Sequence, residues 1–194
     1  MPTAALQENL YERLMNLPEN WVGEIIGGQL YTQPRPAKPH ALVCSSLEIE
    51  IGAAFQKGRG GPGGWWIIVE PEIHFIRDME IAVPDLAGWR RERLPSLAGD
   101  HRFEIVPDWV CEILSPSTAK KDRVVKMPTY ARYGVPYLWL VDPTARTLEA
   151  FALEHGRWTV IGLFADEADV AIPPFQEISL ALGELWVETG TDDR

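Results

Sequence analysis

The sequence predicts one α/β (α+β) domain in which a mixed central sheet is flanked by helices and carries an additional β-hairpin near each end. Two segments near the N-terminus have apolar residues at helical spacing, and several short apolar runs in the middle of the chain are typical of strands. Glycine turns at Gly27-Gly28 and Gly156 each separate two strand-like runs. With 194 residues and a hydrophobic fraction of 46%, the chain is long enough to form one domain with a real core.

The first elements are a helix, a hairpin and a second helix. Residues 6–17 have leucines at helical spacing and end before a proline. Residues 21–31 form two apolar runs around Gly27-Gly28, which predicts the hairpin. The proline-rich residues 32–39 predict a loop, and residues 40–55 have the apolar period of a helix.

The middle of the chain predicts three strands. The glycine-rich residues 58–64 indicate a flexible link, and residues 65–76 predict a strand interrupted at Pro71. Residues 80–86 predict a second strand with Asp85 on the same face as Ile81 and Val83. Residues 89–104 are polar and irregular, and residues 106–114 predict a third strand.

The second half predicts a helix, a buried strand and a terminal hairpin. Ser117 or Thr118 can cap a helix that continues through Lys126 and kinks or restarts at Pro128. Residues 136–141 are almost continuously apolar, which indicates a strand buried on both faces of a mixed sheet. A hairpin at residues 154–157, a short strand near Val170 and an amphipathic piece at residues 178–187 follow.

We expect residues 1–20 to form an N-terminal helix and residues 21–194 to form a single domain. Cys44 and Cys111 lie in apolar segments, which predicts buried free thiols and favours the reducing cytoplasm. No apolar run approaches the ~18 residues that a membrane span needs, so no membrane partner is expected. The net charge of −10 counts against a generic nucleic-acid binder, although a local basic groove or a bound metal is compatible with it.

Asp85 and Glu112 are acids in apolar, strand-like surroundings. A buried carboxylate costs several kcal/mol, roughly, unless it is paired, protonated or bound to a metal. Two such acids on adjacent strands would repel each other, and a shared Mg²⁺ or Mn²⁺ would remove the repulsion. The alternative is that each acid caps a turn or pairs with an arginine.

The helix after the third strand carries Asp122, Lys126 and Tyr130 at four-residue spacing, which would place them on one face. Such a stripe is either a solvated set of ion pairs or a functional face that brings Lys126 to the acids and Asp122 and Tyr130 to a substrate. The basic residues Arg90, Arg91 and Arg93 could line a phosphate groove, or they could belong to a solvated loop.

Four segments together closely resemble the Uma-two family of predicted restriction endonucleases, whose fold is that of the PD-(D/E)XK nucleases. They are the Val-Pro-Asp-Leu of residues 83–86, residues 107–118, the set Asp122, Lys126 and Tyr130, and residues 134–143. Residues 23–30 and His40 also resemble the N-terminal signature of the family. The resemblance implies a restriction endonuclease-like core over roughly residues 21–187.

The resemblance also implies roles for individual residues. Asp85 and Glu112 match the two metal-binding acids, and the fold implies that a backbone carbonyl near Ile113 completes the metal site. The superfamily lysine would stand at Leu114, which cannot serve. The family places a lysine on the following helix instead, and Lys126 matches it, with Lys120 and Lys121 as possible substitutes.

Two upstream residues match further family positions. Glu24 matches an N-terminal glutamate and ranks first as an additional catalytic acid, ahead of Glu70 and Glu72; otherwise it is a surface acid of the hairpin. His40 matches a family position and is a candidate substrate-binding residue, although a histidine that opens a helix commonly caps or packs.

The expected function is a Mg²⁺- or Mn²⁺-dependent endonuclease that hydrolyses nucleic acid, with DNA expected over RNA. A catalytically inactive, oligomeric binding module of the same fold is the main alternative, and the acidic charge favours it. An acid-pair hydrolase such as a glycosidase is a third reading, although it would not need the lysine helix. By analogy with double-strand cutters, we expect a homodimer.

Overall fold

The computed structural model of the protein describes residues 10–34 and 37–186. The predicted helix at residues 6–17 lies partly outside these ranges, and residues 10–15 (α1) are helical. α2 (Lys38–Ile51) is extended by a π-helical turn (Gly52–Gln56). Later in the chain, α3 (Ala119–Lys121), a second π-helical turn (Asp122–Lys126) and α4 (Met127–Arg132) follow one another without a break. A 3₁₀ turn (Leu182–Leu185) is the last helical segment described.

Thirteen strands lie within the described residues. They are β1 (Trp21–Ile26), β2 (Gln29–Pro34), β3 (Trp65–Val69), β4 (Glu72–Ile76), β5 (Glu80–Ala82), β6 (Leu86–Arg90), β7 (Arg102–Phe103), β8 (Trp109–Ile113), β9 (Tyr137–Asp142), β10 (Thr147–Glu154), β11 (Arg157–Ala165), β12 (Asp169–Val170) and β13 (Leu180–Ala181). Both predicted hairpins form, as β1–β2 and β10–β11. The interruption at Pro71 separates β3 from β4, as the sequence predicts.

The larger sheet has the order β11-β10-β9-β8-β6-β3 and is mixed. β8 and β9 are parallel, and the other neighbouring pairs are antiparallel. β9 lies inside this sheet, and its residues from Leu138 to Val141 are buried. This confirms the prediction that the apolar residues 136–141 form a strand covered on both faces.

The second sheet has five strands in the order β2-β1-β5-β4-β7. The N-terminal hairpin is therefore part of a sheet that includes β4 and β5 from the middle of the chain, since Ile25 of β1 pairs with Ile81 of β5. The chain crosses between the two sheets several times, and one crossing, from β5 to β6, lies at residues 83–85. That crossing carries Asp85.

Two apolar clusters cover the two faces of the larger sheet. On one face, α2 packs through Val43, Leu47 and Ile51 against side chains of β3, β6, β8 and β9. Trp109, Trp139 and Phe175 form edge-on ring contacts in this layer, with centroids 4.9–5.7 Å apart. On the other face, a second cluster includes residues of β6, β8 and β9 together with Tyr130 of α4.

Residues 80–86 do not form the continuous strand that the alternation predicts. β5 ends at Ala82 and β6 begins at Leu86. Pro84 has no N–H to donate, and both backbone polar groups of Val83 bond to side chains: its N–H donates to Glu24 and its carbonyl accepts from Lys126. The prediction that residues 89–104 are wholly irregular is also wrong, because β6 extends to Arg90 and β7 lies at residues 102–103.

Cys44 and Cys111 are free and buried, as predicted. No helix among residues 10–34 and 37–186 is long and apolar enough to cross a membrane.

Candidate active site

A cavity of about 360 Å³ opens beside the crossing between the two sheets. The bend at residues 83–85, the end of β8, the first turn of α2 and the loop that precedes α3 form its walls. The lining residues are Val22, Gln33, Pro34, Ala37, His40, Glu70, Val83, Asp85, Glu112, Ile113, Ser115, Pro116, Ser117, Thr118 and Asp122.

Asp85 stands at the bend, and its side chain is 15% exposed. Its Oδ2 accepts a hydrogen bond from the backbone N–H of Ile113 at 2.6 Å. Its Oδ1 lies 3.1 Å from Nε2 of His40. The carboxylate is therefore held between the end of β8 and the start of α2.

His40 lies in the first turn of α2 and is buried. Burial lowers its pKa, but hydrogen bonding and attraction to Asp85 outweigh burial, so that the pKa is raised overall. Attraction to Glu70 and Asp122 acts in the same direction. Its Nδ1 is buried and has no hydrogen-bond partner among the described residues.

Glu112 is buried in β8, where strand alternation directs its side chain away from α2 and toward α4. Its carboxylate accepts a hydrogen bond from the Tyr130 hydroxyl at 2.5 Å. The Lys126 ammonium lies 2.8 Å from its Oε1 and 2.9 Å from its Oε2. Two donors from the helical segment therefore hold this carboxylate.

Lys126 is 1% exposed. Its Nζ donates to the Val83 carbonyl at 2.9 Å and lies 2.8 Å from Oε1 of Glu24, in addition to its contacts with Glu112. Burial lowers its pKa, but attraction to Glu112 and Glu24 outweighs burial and raises it above the ordinary value. An ammonium has three N–H donors, and protein oxygens surround all of them here.

Glu24, on β1, is 1% exposed and is the second partner of Lys126. It accepts hydrogen bonds from the Val83 N–H at 2.9 Å and from Lys121 at 2.5 Å. Burial raises its pKa, yet Lys126 and Lys121 together hold the pKa below its ordinary value. Lys121 also donates to Gln33, which lines the cavity. Glu24 is therefore a buried acid, and the alternative prediction that it is a surface acid of the hairpin is wrong.

Negative charge exceeds positive charge around the cavity. Four carboxylates line it, those of Glu70, Asp85, Glu112 and Asp122. Glu24 and the ammonium groups of Lys121 and Lys126 adjoin them. Burial raises the pKa of Glu112 well above its ordinary value; Lys126 opposes this, and the neighbouring carboxylates reinforce it. Burial also raises the pKa of Asp122, against the attraction of Lys126 and Lys121.

The face that carries Asp122, Lys126 and Tyr130 is turned toward Glu112, although the helix that carries it is not a regular α-helix. The predicted restart near Pro128 takes the form of a π-helical turn, Asp122–Lys126, followed by α4, in whose first turn Pro128 lies. Pro128 cannot donate to the helical ladder, and directly before it the Met127 N–H donates to the Asp122 carbonyl, five residues back. Thr118 is the cap residue of α3, as predicted, but its side chain makes no capping hydrogen bond.

Arg90 and Arg91 are not among the residues that line the cavity. They lie at or just beyond the end of β6, the strand that begins next to Asp85. The Arg91 guanidinium stacks over Trp66 at 4.0 Å and donates to the carbonyls of Trp65 and Gln56. Arg93 pairs with Asp108. Their predicted contact with nucleic acid would therefore be made outside the cavity.

Among the upstream acids, Glu70 lines the cavity, whereas Glu72 pairs with His74 and His101 away from it. Gln33 and the hydroxyls of Ser115, Ser117 and Thr118 also line the cavity and were not proposed from the sequence as site residues. The position of the Ser-Pro-Ser-Thr loop directly after the Glu112 strand could have indicated Ser115, Ser117 and Thr118, whereas no local pattern indicates Gln33.

The cavity offers a hard divalent cation a small set of protein ligands, which is two carboxylates. Among residues 10–34 and 37–186, no group of three or more His, Cys, Asp and Glu side chains is arranged to hold a metal. Mg²⁺, however, is commonly bound through one or two carboxylates and retains water ligands. Asp85 and Glu112 supply that number of carboxylates in one cavity, which Ile113 also lines, and the excess of negative charge favours a cation.

Comparison with known proteins identifies relatives of the whole fold. A family profile described as "Uma2: Putative restriction endonuclease" matches residues 9–183. A crystal structure from Anabaena variabilis ATCC 29413, described as a "putative nuclease belonging to DUF820", superimposes with a TM-score of 0.70 at 24% identity. The match covers 90% of this chain and 96% of that one, and it shows a shared fold. No curated protein sequence matches.

Proposed function

The chain belongs to the Uma2 family, described as "Putative restriction endonuclease", and from this premise we propose that it is a metal-dependent endonuclease. Its substrate would be the phosphodiester bond of a nucleic acid, with DNA as the first candidate. The cofactor would be Mg²⁺ or Mn²⁺. The observation that carries the proposal is that Asp85 and Glu112 line one cavity of excess negative charge, with Lys126 in contact with Glu112.

Asp85, Glu112 and the backbone carbonyl of Ile113 are the groups that would hold the cation. When bound, such a cation lowers the pKa of a water ligand and neutralises charge that develops on the phosphate. Asp85 suits this role because the Ile113 N–H and His40 already fix its orientation. Glu112 is fixed likewise by Tyr130 and Lys126.

Lys126 would assist in two ways. Its ammonium offsets negative charge at a buried site: it lowers the pKa of Glu24, and it opposes the rise that burial causes in the pKa of Glu112. The same positive charge, next to the cavity wall, would stabilise negative charge on a phosphate that enters the cavity. Because Glu24 holds both lysines, we assign Glu24 a positioning role.

The cavity mouth offers neutral hydrogen-bonding groups to the substrate. Gln33 and the hydroxyls of Ser115, Ser117 and Thr118 would bind phosphate or sugar oxygens without adding charge. His40, whose pKa is raised beside Asp85, could add a positive donor. Asp122 and Tyr130 would act mainly through the lysines and Glu112, because both side chains are buried.

The test is nicking of supercoiled plasmid DNA with added Mg²⁺ or Mn²⁺. We expect wild-type protein to nick the plasmid, and Asp85→Asn and Glu112→Gln each to reduce the rate at least about a hundredfold, because each loses a metal-binding charge. Glu50→Gln is the matched control, since Glu50 is an exposed acid of α2 outside the cavity. Circular dichroism confirms that each variant folds.

Equal activity of wild type and both cavity variants would reject the site, because any nicking would then come from elsewhere. A catalytically inactive binding module is the second candidate function. The complete engagement of the Lys126 N–H groups and the net charge of −10 favour it. Wild-type protein that is inert with both metals on DNA and on RNA would support that function.

A further inference from the structure

The outer edge of β11 is open in the part of the chain that the structure describes. This strand of nine residues hydrogen-bonds to β10, and no described residue forms a ladder with its other side. The opposite edge of the same sheet, β3, is partly covered, because the side chains of Gln56 and Arg91 hydrogen-bond to its backbone. A row of unpaired backbone N–H and C=O groups is a template for another strand.

After Arg157, its first residue, β11 lacks the residues that usually keep edge strands apart. Lysine, other charged residues and proline commonly serve that purpose. Residues 158–165 contain no charged residue and no proline. Instead, Val160 is 52% exposed, and Leu163, at 67%, is the most exposed large hydrophobic residue among those described.

A β-bulge places these two side chains on the same face of the sheet. Val160 pairs with Phe151 and Leu163 with Glu149, because the register shifts between Ala150 and Phe151. Residues two apart on β10 point to the same face, and so do their partners on β11. Without the bulge, Val160 and Leu163 would lie on opposite faces.

We propose that β11 pairs antiparallel with β11 of a second copy of this chain around a two-fold axis, so that two six-stranded sheets join into one. In the register that sets Val160 opposite the partner's Leu163, Arg157 lies opposite the partner's Asp166. Arg157 and Asp166 are exposed and carry opposite charge. The edge is therefore self-complementary in both apolar and charged contacts, as a two-fold interface must be.

The first experiment measures the mass of the full chain by sedimentation equilibrium over a wide range of concentration. We expect a wild-type dimer, and we expect Leu163→Lys to raise the dimer dissociation constant at least about tenfold. Ile49→Lys is the matched control, since Ile49 is 60% exposed on α2, and it leaves the dissociation constant unchanged. A wild-type chain that stays monomeric throughout overturns the proposal, and so does a dimer that Leu163→Lys leaves intact.

A charge exchange tests the register. Arg157→Glu and Asp166→Lys should each weaken the dimer several-fold, and the combined variant should restore it, because the ion pair then forms with reversed polarity. Backbone hydrogen exchange gives a second readout that does not depend on any substitution. We expect the amides on the outer edge of β11 to gain protection as the dimer forms. Equal protection in the monomer would mean that the same chain covers the edge, and would overturn the proposal.

Discussion

At the scale of single residues, the cost of burying charge determines how the cavity is built. Lys126 is nearly inaccessible and stays protonated because Glu24 and Glu112 lie on two sides of it. Each of these acids has a further donor, the Val83 N–H for Glu24 and the Tyr130 hydroxyl for Glu112. These contacts join β1, the bend at Val83, β8, the π-helical turn and α4.

We expect Lys126→Ala to lower the free energy of unfolding by about 3–5 kcal/mol, because it leaves two carboxylates buried without their shared cation. Lys121→Ala is the matched comparison, since Lys121 also pairs with Glu24 but is 15% exposed, and its loss should be smaller. Urea denaturation at neutral pH measures both. A Lys126→Ala variant no less stable than Lys121→Ala would contradict the network as described.

At the scale of elements, local patterns determined most of the structure, and the site altered it at two points. The helices, both hairpins and the buried β9 follow from periodicity and turn residues. The strand predicted at residues 80–86 is broken because Glu24 and Lys126 bond to the backbone of Val83. The π-helical turn before α4 occurs where Lys126 reaches Glu112, and the four-residue spacing predicted only that the side chains share a face.

Gly88 of β6 shows how tightly the elements pack in the larger sheet. A Cβ at this position would lie 3.2 Å from Ile67 Cδ1 and from Trp109 Cε3, and 3.3 Å from Trp65 Cε3. We expect Gly88→Ala to destabilise the protein by about 1–3 kcal/mol, because the added methyl group would force two buried indole rings to shift by a few tenths of an ångström.

Gly52→Ala is the control for that change. Its Cβ would approach only the flexible end of Glu48, and alanine favours a helical backbone, so we expect no loss of stability. The two variants are compared by their urea midpoints. Equal midpoints would indicate that the packing around Gly88 relaxes without cost.

At the scale of the whole molecule, the position of the cavity depends on how the two sheets are connected. The chain leaves the five-stranded sheet at β5, bends at Asp85 and enters the six-stranded sheet at β6. That crossing brings residues from β1, α2, β8 and the segment before α4 to one place. The arginines at the far end of β6 remain outside it.

If a cation binds at this crossing, it should stabilise the entire fold, because it binds the folded state alone. We expect saturating Mg²⁺ or Mn²⁺ to raise the Tm of the wild type, as a ligand at about 100 times its Kd adds about 2.7 kcal/mol. Asp85→Asn should abolish the shift, and Glu50→Gln should retain it. Calorimetry with and without metal measures this, and an identical shift in Asp85→Asn would assign the bound ion to another part of the protein.

The sequence by itself determined both hairpins, the buried strand β9 and the strand that carries Glu112, because strand alternation and turn chemistry act between near neighbours in the chain. Only the tertiary structure decided that the N-terminal hairpin joins a second sheet, that Glu24 is buried against Lys121 and Lys126, and that Gln33 lines the cavity. Those contacts join residues far apart in the sequence. These contacts form because the chain connects the two sheets and because each buried charge needs a partner. A local sequence pattern carries no information about either.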